Sequence, residues 1–344
     1  MCFSSRLKVS GSLTSLKMTL MKYRKVYVIY DRNVAPFAAR IIGGKVASEG
    51  AQSGLIVSDS KPSFGIVADE SGKDMNAVVS ICRWLMANNA DRDALLLAVG
   101  GGFTSDIVGF VASIYKRGVR YANVPTTLLA MVDASIGGKT GVNLDSYKNM
   151  LGSFRKPEFT YICPSVLETL PDREFNSGIA ELLKTFIIDN RNNWYDKSLE
   201  VVKSSFDAQA LEPVIKAAAR IKMKIVRKDP LDKGARMVLN LGHTYAHAVE
   251  WWQRTKGVEN PYTHGEAVSI GIVQAARKSV EEGLCDSFLP DKLASDFAKC
   301  GLPVILPCSV EELDKAVQND KKASGGKLNF VFPKAIGKVV VKKI

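Results

Sequence analysis

The sequence predicts an α/β domain with a parallel-type sheet, followed by a mostly α-helical domain. In the first half, apolar strand patterns alternate with helical patterns, which is typical of a parallel sheet covered by helices. After about Pro164 the chain changes to long helical patterns with few strand signals. Because 344 residues are too many for one small core, we expect two domains, residues 1–164 and 165–344.

The elements of the first domain can be assigned in order. Leu13, Leu16, Met18, Leu20 and Met21 are spaced as one face of a short helix that leads into the strand KVYVIYD. We then expect a helix through Val34 to Ile42, the strand SGLIVSD, a helix through Met75 to Ala90, and the strands DALLLAVGGG and RYANVPTT.

The second domain is predicted to consist mainly of helices. Helical patterns run through PDREFNSGIAELLKTFII, PVIKAAARIKMKIVRK and HGEAVSIGIVQAARKSVEEG. A short strand signal, KLNFVFP and KVVVKKI, lies near the C-terminus.

The composition is that of a soluble globular protein, with 46% hydrophobic and 24% charged residues. No apolar run approaches the roughly 20 residues of a membrane span. The six cysteines are scattered without a CxxC pair, so we expect reduced thiols and a cytoplasmic protein. The net charge of +12 contains no long block of like charges, which argues against nucleic acid as a partner.

All three histidines of the chain lie in one short stretch. His243 and His247 are four apart in an apolar helical run, so both imidazoles project from one face of that helix, and His264 follows in PYTHGEAVSIG. A single histidine is usually a cap or a solvated side chain, but three together indicate a metal or catalytic cluster. Spacing alone selects His243 and His247 as the ligand pair.

Two further segments carry residues suited to a phosphate-bearing ligand. LLLAVGGGFTSDIVGF is predicted to form a strand, a glycine turn and a helix, whose N-terminus attracts a pyrophosphate; an ordinary turn is the alternative. In NVPTTLLAMVDASIGGKTGVNLDSYKNMLG, the residues Asp133, Lys139, Lys148 and Asn149 lie in glycine-rich surroundings, where loops can close over a ligand. A solvated loop is the alternative there.

Glu181 and Lys184 are three apart on one face of a predicted helix, amid apolar neighbours. Carboxylates are third ligands in histidine-rich zinc sites, and an acid and a lysine are costly to bury without a task. An exposed ion pair within the helix is the alternative.

Six ordered motifs together resemble the 3-dehydroquinate synthase family of sugar-phosphate cyclases. The motifs are GGGFTSDIVGFVASIYKRG, VPTTLLAMVDASIGGKTGVN, KNMLGSF, TLPDREFNSGIAELLK, LNLGHTYAHAVE and HGEAVSIG, and the resemblance extends from about Lys25 to the C-terminus. It implies a Rossmann-like N-terminal domain, a helical C-terminal domain and an active site in the cleft between them.

The resemblance also implies the site residues. One Zn²⁺ or Co²⁺ would be held by Glu181, His243 and His264, whereas His247 would contact the substrate. The implied NAD contacts are Asp31, Asn33, Glu70, Lys73, Gly101, Gly102, Phe103, Thr104, Ser105, Asp106, Thr126, Thr127, Lys139, Lys148 and Thr169. The residues implied around the substrate are Lys139, Lys222, Arg236 and Asn240 at its carboxylate, Asn149, Lys184 and Lys321 or Lys322 at its phosphate, with Arg117 from a neighbouring subunit, and Asp133 near the reacting hydroxyls.

The activity implied is conversion of 3-deoxy-D-arabino-heptulosonate 7-phosphate to 3-dehydroquinate and phosphate, the second step of the shikimate pathway. It would proceed by transient oxidation by NAD, β-elimination of phosphate, reduction, ring opening and intramolecular aldol closure, in a homodimeric phosphorus-oxygen lyase. An anionic sugar phosphate would account for several of the basic residues.

The chain departs from the family pattern at a few positions. Ser105 and Ala246 each stand where a glycine is usual, and DPLDKGARMV is a loose version of the segment before Arg236. We also expect the family's opening strands before the first helix to be missing.

Three alternatives differ in class or substrate. A metal-dependent alcohol or glycerol dehydrogenase shares the architecture, but a small neutral alcohol needs no such set of cations. A sibling cyclase would act on another sugar phosphate, whereas Lys222, Arg236 and His247 favour a substrate with a carboxylate. A basic nucleic-acid-binding protein would explain the charge but not the histidines.

Overall fold

The structure is a computed structural model that describes residues 5–46, 55–57, 61–67, 69–145, 147–309, 311–313 and 329–343. The chain divides into two compact units, Met1–Leu170 and Pro171–Ile344. The predicted α/β domain followed by a helical domain is confirmed. None of the described helices combines the length and the apolar character that crossing a membrane requires.

The first unit contains ten strands and four α-helices among its described residues. The strands are β1 (Arg6–Val9), β2 (Val26–Asp31), β3 (Lys45–Val46), β4 (Ile56–Val57), β5 (Ser63–Ile66), β6 (Leu95–Gly100), β7 (Arg120–Pro125), β8 (Lys139–Leu144), β9 (Tyr147–Phe154) and β10 (Phe159–Ile162). The helices are α1 (Leu13–Leu20), α2 (Ala35–Ile42), α3 (Met75–Ala87) and α4 (Gly102–Ile114).

A six-stranded sheet forms the centre of this unit, in the order β1-β10-β7-β6-β2-β5, and every neighbouring pair is parallel. The apolar runs of β2 and β6 are buried throughout, as expected for strands covered on both faces. The chain passes from β2 to β5 on one side and then to β6 on the other. The strand order therefore reverses between β2 and β6, and ligands of open α/β sheets bind outside the carboxyl ends of the strands at such a point.

Two strand predictions for this unit are wrong. A strand does precede the first helix, because β1 pairs in parallel with β10 at the edge of the sheet. Within the described part of the run SGLIVSD, β4 pairs with β3 in an antiparallel ladder apart from the six-stranded sheet, and the neighbour of β2 is β5. An apolar run predicts a buried strand but does not say which ladder that strand joins.

The predicted first helix is present as α1, and it packs against α2. Its buried face is narrower than the spacing suggested, because Leu16 and Leu20 are buried whereas Met18 and Met21 are 63% and 83% exposed. The five cysteines within the described residues are free thiols.

The second unit is helical, apart from a hairpin near the C-terminus. Its described helices are α5 (Asp172–Ile188), α6 (Trp194–Lys203), α7 (Ala208–Lys228), α8 (His243–Lys256), α9 (His264–Glu281) and α10 (Leu289–Lys299), and the antiparallel hairpin consists of β11 (Asn329–Ala335) and β12 (Lys338–Lys343).

Helix α9 lies at the centre of this unit, with α5, α8 and α10 packed against it. The residues of α5 from Ser177 to Ile188 are all buried, so this helix has no solvated face along its second half. Polar side chains on α5 and α9 are therefore placed inside the unit.

Candidate metal centre and nucleotide-binding turn

Three potential metal ligands meet where α5, α8 and α9 pack together. Glu181 lies in the buried half of α5, and His243 and His264 are the first residues of α8 and α9. One ligand atom from each of the three residues lies within 4.8 Å of the others. Among the described residues, this is the group of histidine, cysteine and acidic side chains arranged to hold an ion.

The distances suit a single small cation. The Oε1 atom of Glu181 lies 3.8 Å from Nε2 of His243 and 3.5 Å from Nε2 of His264. Two ligand atoms bound to zinc at about 2.1 Å in tetrahedral geometry would lie roughly 3.4 Å apart. The residues therefore fit a zinc-sized ion with little movement.

Hydrogen bonds fix which nitrogen of each histidine faces this point. Nδ1 of His243 lies 3.2 Å from the carbonyl oxygen of Leu241, and Nδ1 of His264 lies 3.0 Å from Oε1 of Glu250. Both oxygens accept hydrogen bonds, so Nδ1 carries a proton in each ring, and Nε2 is the nitrogen that faces the shared position. Glu250, which the sequence reasoning missed, fixes the orientation of the His264 ring. Its partner lies on another helix, so its position along α8 gave no signal for this contact.

Glu181 is fully buried, and its two oxygens have different surroundings. Oε2 forms an ion pair with Nζ of Lys184 at 2.5 Å, while Oε1 faces the two histidines. Apart from these ionic contacts, neither oxygen has a hydrogen-bond partner. A buried carboxylate with an unbonded oxygen is costly unless a cation compensates it, which supports a metal at this point.

The pKa shifts show how the site is charged. Burial opposes charge on Glu181, but Lys184 and the histidines outweigh it and hold the pKa of Glu181 well below its ordinary value. Burial, together with the charge of Lys184, lowers the pKa of His243 well below its ordinary value. Burial also acts against charge on His264, but the carboxylates of Glu181 and Glu250 outweigh it and raise the pKa of His264 to about 10. An arriving metal ion would find Glu181 ionised and His243 neutral, and would displace a proton from His264.

The site is accessible, because the side chains of His243 and His264 are 16% and 36% exposed. Three protein ligands with solvent access are the pattern of a catalytic metal centre, whereas structural zinc sites are closed by four. The spacing-based pair of His243 and His247 is wrong as a ligand set. The ring of His247 lies 5.5 Å from that of His243, but His247 is exposed and does not join the group around Glu181.

Cations and amides predicted to contact substrate also lie in the second unit. Lys222 is buried on α7, and Arg236 is buried in the 3-10 helix Ala235–Asn240, of which Asn240 is the exposed last residue. Asp229, which the sequence reasoning did not select, holds the start of this turn: its carboxylate accepts hydrogen bonds from the backbone N–H groups of Lys233, Gly234 and Arg236. Lys321 and Lys322 lie outside the described residues.

In the first unit, a glycine turn lies at the point where the strand order reverses. β6 ends at Gly100, and α4 begins at Gly102 with Gly101 as its N-cap. A Cβ at Gly100 would lie 2.3 Å from Oγ1 of Thr104, so only glycine allows this tight entry into the helix. The amide groups at the start of α4 are suited to bind a phosphate. Ser105, in place of the usual glycine, fits because its hydroxyl donates to the Gly102 carbonyl at 2.8 Å.

Other predicted NAD residues lie at the same edge of the sheet. Asp31 ends β2 and caps the next turn by accepting from the N–H of Asn33 at 3.0 Å. Thr127 follows β7 and lies beside Gly101, whose Cβ would meet Thr127 Cγ2 at 3.1 Å. The hydroxyl oxygens of Thr104 and Thr126 are buried without a hydrogen-bond partner, as expected of groups that bind a ligand.

The segment predicted as a loop is a β-hairpin of β8 and β9, preceded by a π-helical turn, Ala130–Ala134, that contains Asp133. Lys139 begins the hairpin, while Lys148 and Asn149 lie on its second strand. The expectation of a loop is therefore wrong. Small and polar side chains gave little strand signal, and the register is decided by pairing between the two strands.

A polar network joins this hairpin to Glu70, Lys73 and Asp106, which are predicted NAD residues. Nζ of Lys73 donates to Asp106 at 2.7 Å and to Asn149 at 2.6 Å, and Lys148 forms an ion pair with Glu70 at 3.3 Å. Asn143, which the sequence reasoning missed, connects the two sides. It donates to Glu70 at 2.7 Å and accepts from the backbone N–H of Asn149 at 3.0 Å.

Two further predicted residues lie at the ends of short 3-10 turns. Thr169 ends the 3-10 helix Pro164–Thr169, where its hydroxyl donates to Val166 at 3.3 Å. Arg117 is exposed in the turn that follows α4. Because α4 starts at the carboxyl ends of the strands and runs back along the sheet, Arg117 lies at the opposite edge from the glycine turn.

The first unit is a parallel α/β unit with a glycine turn at its reversal point, and the second is a helical unit with a Glu-His-His group. This combination is typical of metal-dependent enzymes with a nucleotide cofactor. Sequence profiles narrow this class. The 3-dehydroquinate synthase N-terminal profile matches residues 63–177, and the C-terminal profile matches residues 178–323. The chain belongs to the 3-dehydroquinate synthase family.

Individual relatives agree with this assignment. A 3-dehydroquinate synthase of Dictyoglomus thermophilum is 40% identical over 274 residues, covering 79% of this chain and 76% of the relative. One of a Shewanella species is 37% identical over 340 residues, covering 97% and 91%. Among solved structures, 2-epi-5-epi-valiolone synthase of Streptomyces hygroscopicus, with NAD⁺ and Zn²⁺ bound, is 26% identical with a TM-score of 0.84, covering 98% and 92%.

Proposed function

We propose that this protein is a 3-dehydroquinate synthase that converts 3-deoxy-D-arabino-heptulosonate 7-phosphate to 3-dehydroquinate and phosphate. The observation that carries the proposal is the Glu181, His243 and His264 group, whose three ligand atoms face one accessible point in a chain of this family. It would act as a cytoplasmic phosphorus-oxygen lyase, and as a homodimer in which Arg117 reaches the neighbouring subunit's substrate.

The cofactors would be NAD in the first unit and Zn²⁺ or Co²⁺ in the second. When bound, the metal would polarise substrate hydroxyls, and NAD would accept and return electrons, so that phosphate can leave by β-elimination. NAD would lie at the carboxyl ends of the strands, with its pyrophosphate at the start of α4 and the residues named above around it. Glu181, His243 and His264 would hold the metal.

The remaining residues would bind and orient the substrate. Lys222 and Arg236 are buried cations suited to a carboxylate, and Asn240 lies at the end of the same turn as Arg236. Lys184 has its ammonium group beside the metal position, where it keeps Glu181 ionised and can meet an incoming anion. His247, exposed beside His243, is suited to exchange a proton with substrate.

Substrate contacts are also proposed for three residues of the first unit. Asn149 and Lys139 lie on the hairpin, with Asp133 in the turn before it. The Lys73 bond to the Asn149 side chain holds that amide in place.

The test is phosphate release from the heptulosonate phosphate, measured with NAD and with zinc or cobalt, before and after removal of metal by EDTA. We expect release that requires metal, without accumulation of NADH, because the cofactor is regenerated. Absence of release with either metal would contradict the proposed activity. Net NADH formation on a simple alcohol would instead indicate a dehydrogenase.

A second arm tests the substrate. Release from a heptulose phosphate that lacks the carboxylate should be much slower, and Lys222→Met should remove most of that difference. Equal rates on both substrates would indicate a sibling cyclase.

A further inference from the structure

Arg173, a residue outside the proposed site, donates hydrogen bonds from all three of its guanidinium nitrogens. It lies near the start of α5, eight residues before Glu181. Its guanidinium meets the Glu266 carboxylate with two contacts, Nε to Oε1 at 3.0 Å and Nη2 to Oε2 at 2.8 Å. Nη1 donates to the Asn260 side chain at 2.7 Å, and Nη2 also donates to the Pro261 carbonyl at 2.7 Å.

All of these partners belong to the segment that carries His264. Glu266 lies two residues after His264 and forms a capping box with Thr263. Its carboxylate accepts a hydrogen bond from the backbone N–H of Thr263 at 2.6 Å. Asn260 and Pro261 belong to the chain that leads into α9. One side chain of α5 therefore holds the approach to α9, its cap and its first turn together.

A second contact leaves the two helices little room to move. The N–H of Gly265 donates to the Ser177 hydroxyl at 3.1 Å, and a Cβ at Gly265 would lie only 1.9 Å from the Ser177 carbonyl oxygen. Ser177 lies one turn before Glu181, and Gly265 follows His264 directly. The backbones of α5 and α9 thus touch beside the metal position, between the Arg173 contacts and the ligands.

We infer that Arg173 is a positioning residue for the metal centre: by clamping Glu266, Asn260 and Pro261, it sets His264 Nε2 at 3.5 Å from Glu181 Oε1. This inference rests on the proposed metal site. An ordinary exposed ion pair contributes little to stability. Arg173 differs because its planar fork reaches three separate acceptor groups in fixed directions, a geometry that a lysine ammonium cannot reproduce.

The test compares Arg173→Lys with Arg191→Lys in the full-length protein. Arg191 pairs with Asp189 at the other end of α5 through a similar two-nitrogen contact, and its hydrogen bonds and ion pair within the described part of the chain all go to Asp189. Both variants keep the positive charge. The measurements are zinc affinity by competition with a chromophoric chelator, the visible absorption spectrum of the cobalt-loaded protein, and the thermal unfolding midpoint of the metal-free protein.

We expect Arg173→Lys to weaken zinc binding roughly tenfold, the lower end of the loss seen when outer-shell partners of a metal are removed. Its cobalt spectrum should also change, because His264 can leave its position. Arg191→Lys should match the parent protein in zinc affinity and in the cobalt spectrum. Glu266→Gln, which keeps the side-chain size, is a second variant. Because both residues belong to one contact, the double variant should lose no more zinc affinity than the weaker-binding single variant.

Two results would overturn the inference. If Arg173→Lys lowers only the unfolding midpoint and leaves zinc affinity and the cobalt spectrum at parental values, Arg173 has a merely structural role. If the parent protein binds neither metal, the proposed metal site fails and the positioning role fails with it. The first result leaves the proposed function intact, so the two failures are distinguishable.

Discussion

Substitution of Gly271 by alanine should disturb the metal centre from a distance, because Gly271 is where α9 meets the start of α8. A Cβ at this position would lie 2.1 Å from the Gly242 carbonyl oxygen and 3.0 Å from the Ala246 nitrogen. The Gly242 carbonyl accepts the hydrogen bond that begins α8, and His243 is the next residue. The added methyl group therefore pushes on the turn that carries one ligand, from the helix that carries another.

The size of the effect follows from this distance. To reach 3.0 Å, below which real Cβ atoms are essentially never found, the two backbones must separate by about 0.9 Å. Metal sites tolerate deviations of only about 0.2 Å in ligand distance. We expect zinc affinity to fall at least about tenfold, equivalent to roughly 1.4 kcal/mol. Overpacking should cost a further ~1–3 kcal/mol of folding stability, or roughly 2–4 °C in the unfolding midpoint for each kcal/mol.

Zinc competition and thermal unfolding of the metal-free protein measure the two effects separately. Gly11→Ala is the matched control, because a Cβ at Gly11 meets nothing within 4 Å. A Gly271→Ala protein with parental zinc affinity would refute the argument that close packing of α8 on α9 sets the ligand geometry.

Three further outcomes are expected. His243→Ala should abolish metal retention, whereas His247→Ala should keep the metal and impair turnover; equal metal loss in both, measured by metal analysis after dialysis, would contradict the ligand assignment. Glu250→Ala should weaken zinc binding roughly 10–100-fold, because the His264 ring loses the acceptor that orients it, and unchanged affinity would exclude that role. Backbone hydrogen bonds lower the pKa of Asp229, so its contribution to stability is complete above about pH 4 and is lost as the pH falls through the folded-state pKa. In urea unfolding, the parent should therefore exceed Asp229→Asn in stability near neutral pH and match it in strong acid, and a difference that persists there would refute this reading.

Long periodic patterns made most of the secondary structure predictable. The strands KVYVIYD, DALLLAVGGG and RYANVPTT are present as β2, β6 and β7, and the helix expected around Glu181 is α5. Short or polar strands were missed, including β5 and β10, because four residues carry too little periodicity to separate a strand from a loop. The β8 and β9 hairpin was missed for a related reason: its residues gain strand structure by pairing with each other.

The presence of a metal centre was predictable from the residues, but its ligand set was not. The clustering of three histidines indicated a metal centre, but their spacing along one helix favoured His247 over His264. Supporting residues such as Glu250, Asp229, Asn143 and Arg173 were not selected from the sequence. Glu250, Asn143 and Arg173 form hydrogen bonds to residues that only folding brings near, so spacing along the chain carries no signal for these contacts. Asp229 instead accepts from the backbone of its own turn, and nothing in the sequence pattern singles out that turn.

The sequence alone determined that the chain has a parallel α/β part and a helical part, where the glycine turn lies, and which residue types can bind a metal and an anion. The tertiary structure decided which of those residues meet. Glu181 lies 62 residues before His243 in the sequence, and the two come together with His264 because α5, α8 and α9 pack at Gly265 and Gly271, where no side chain separates the backbones. Periodicity records the face that a helix buries, whereas a ligand set depends on the distance and register between helices, which are fixed only by packing.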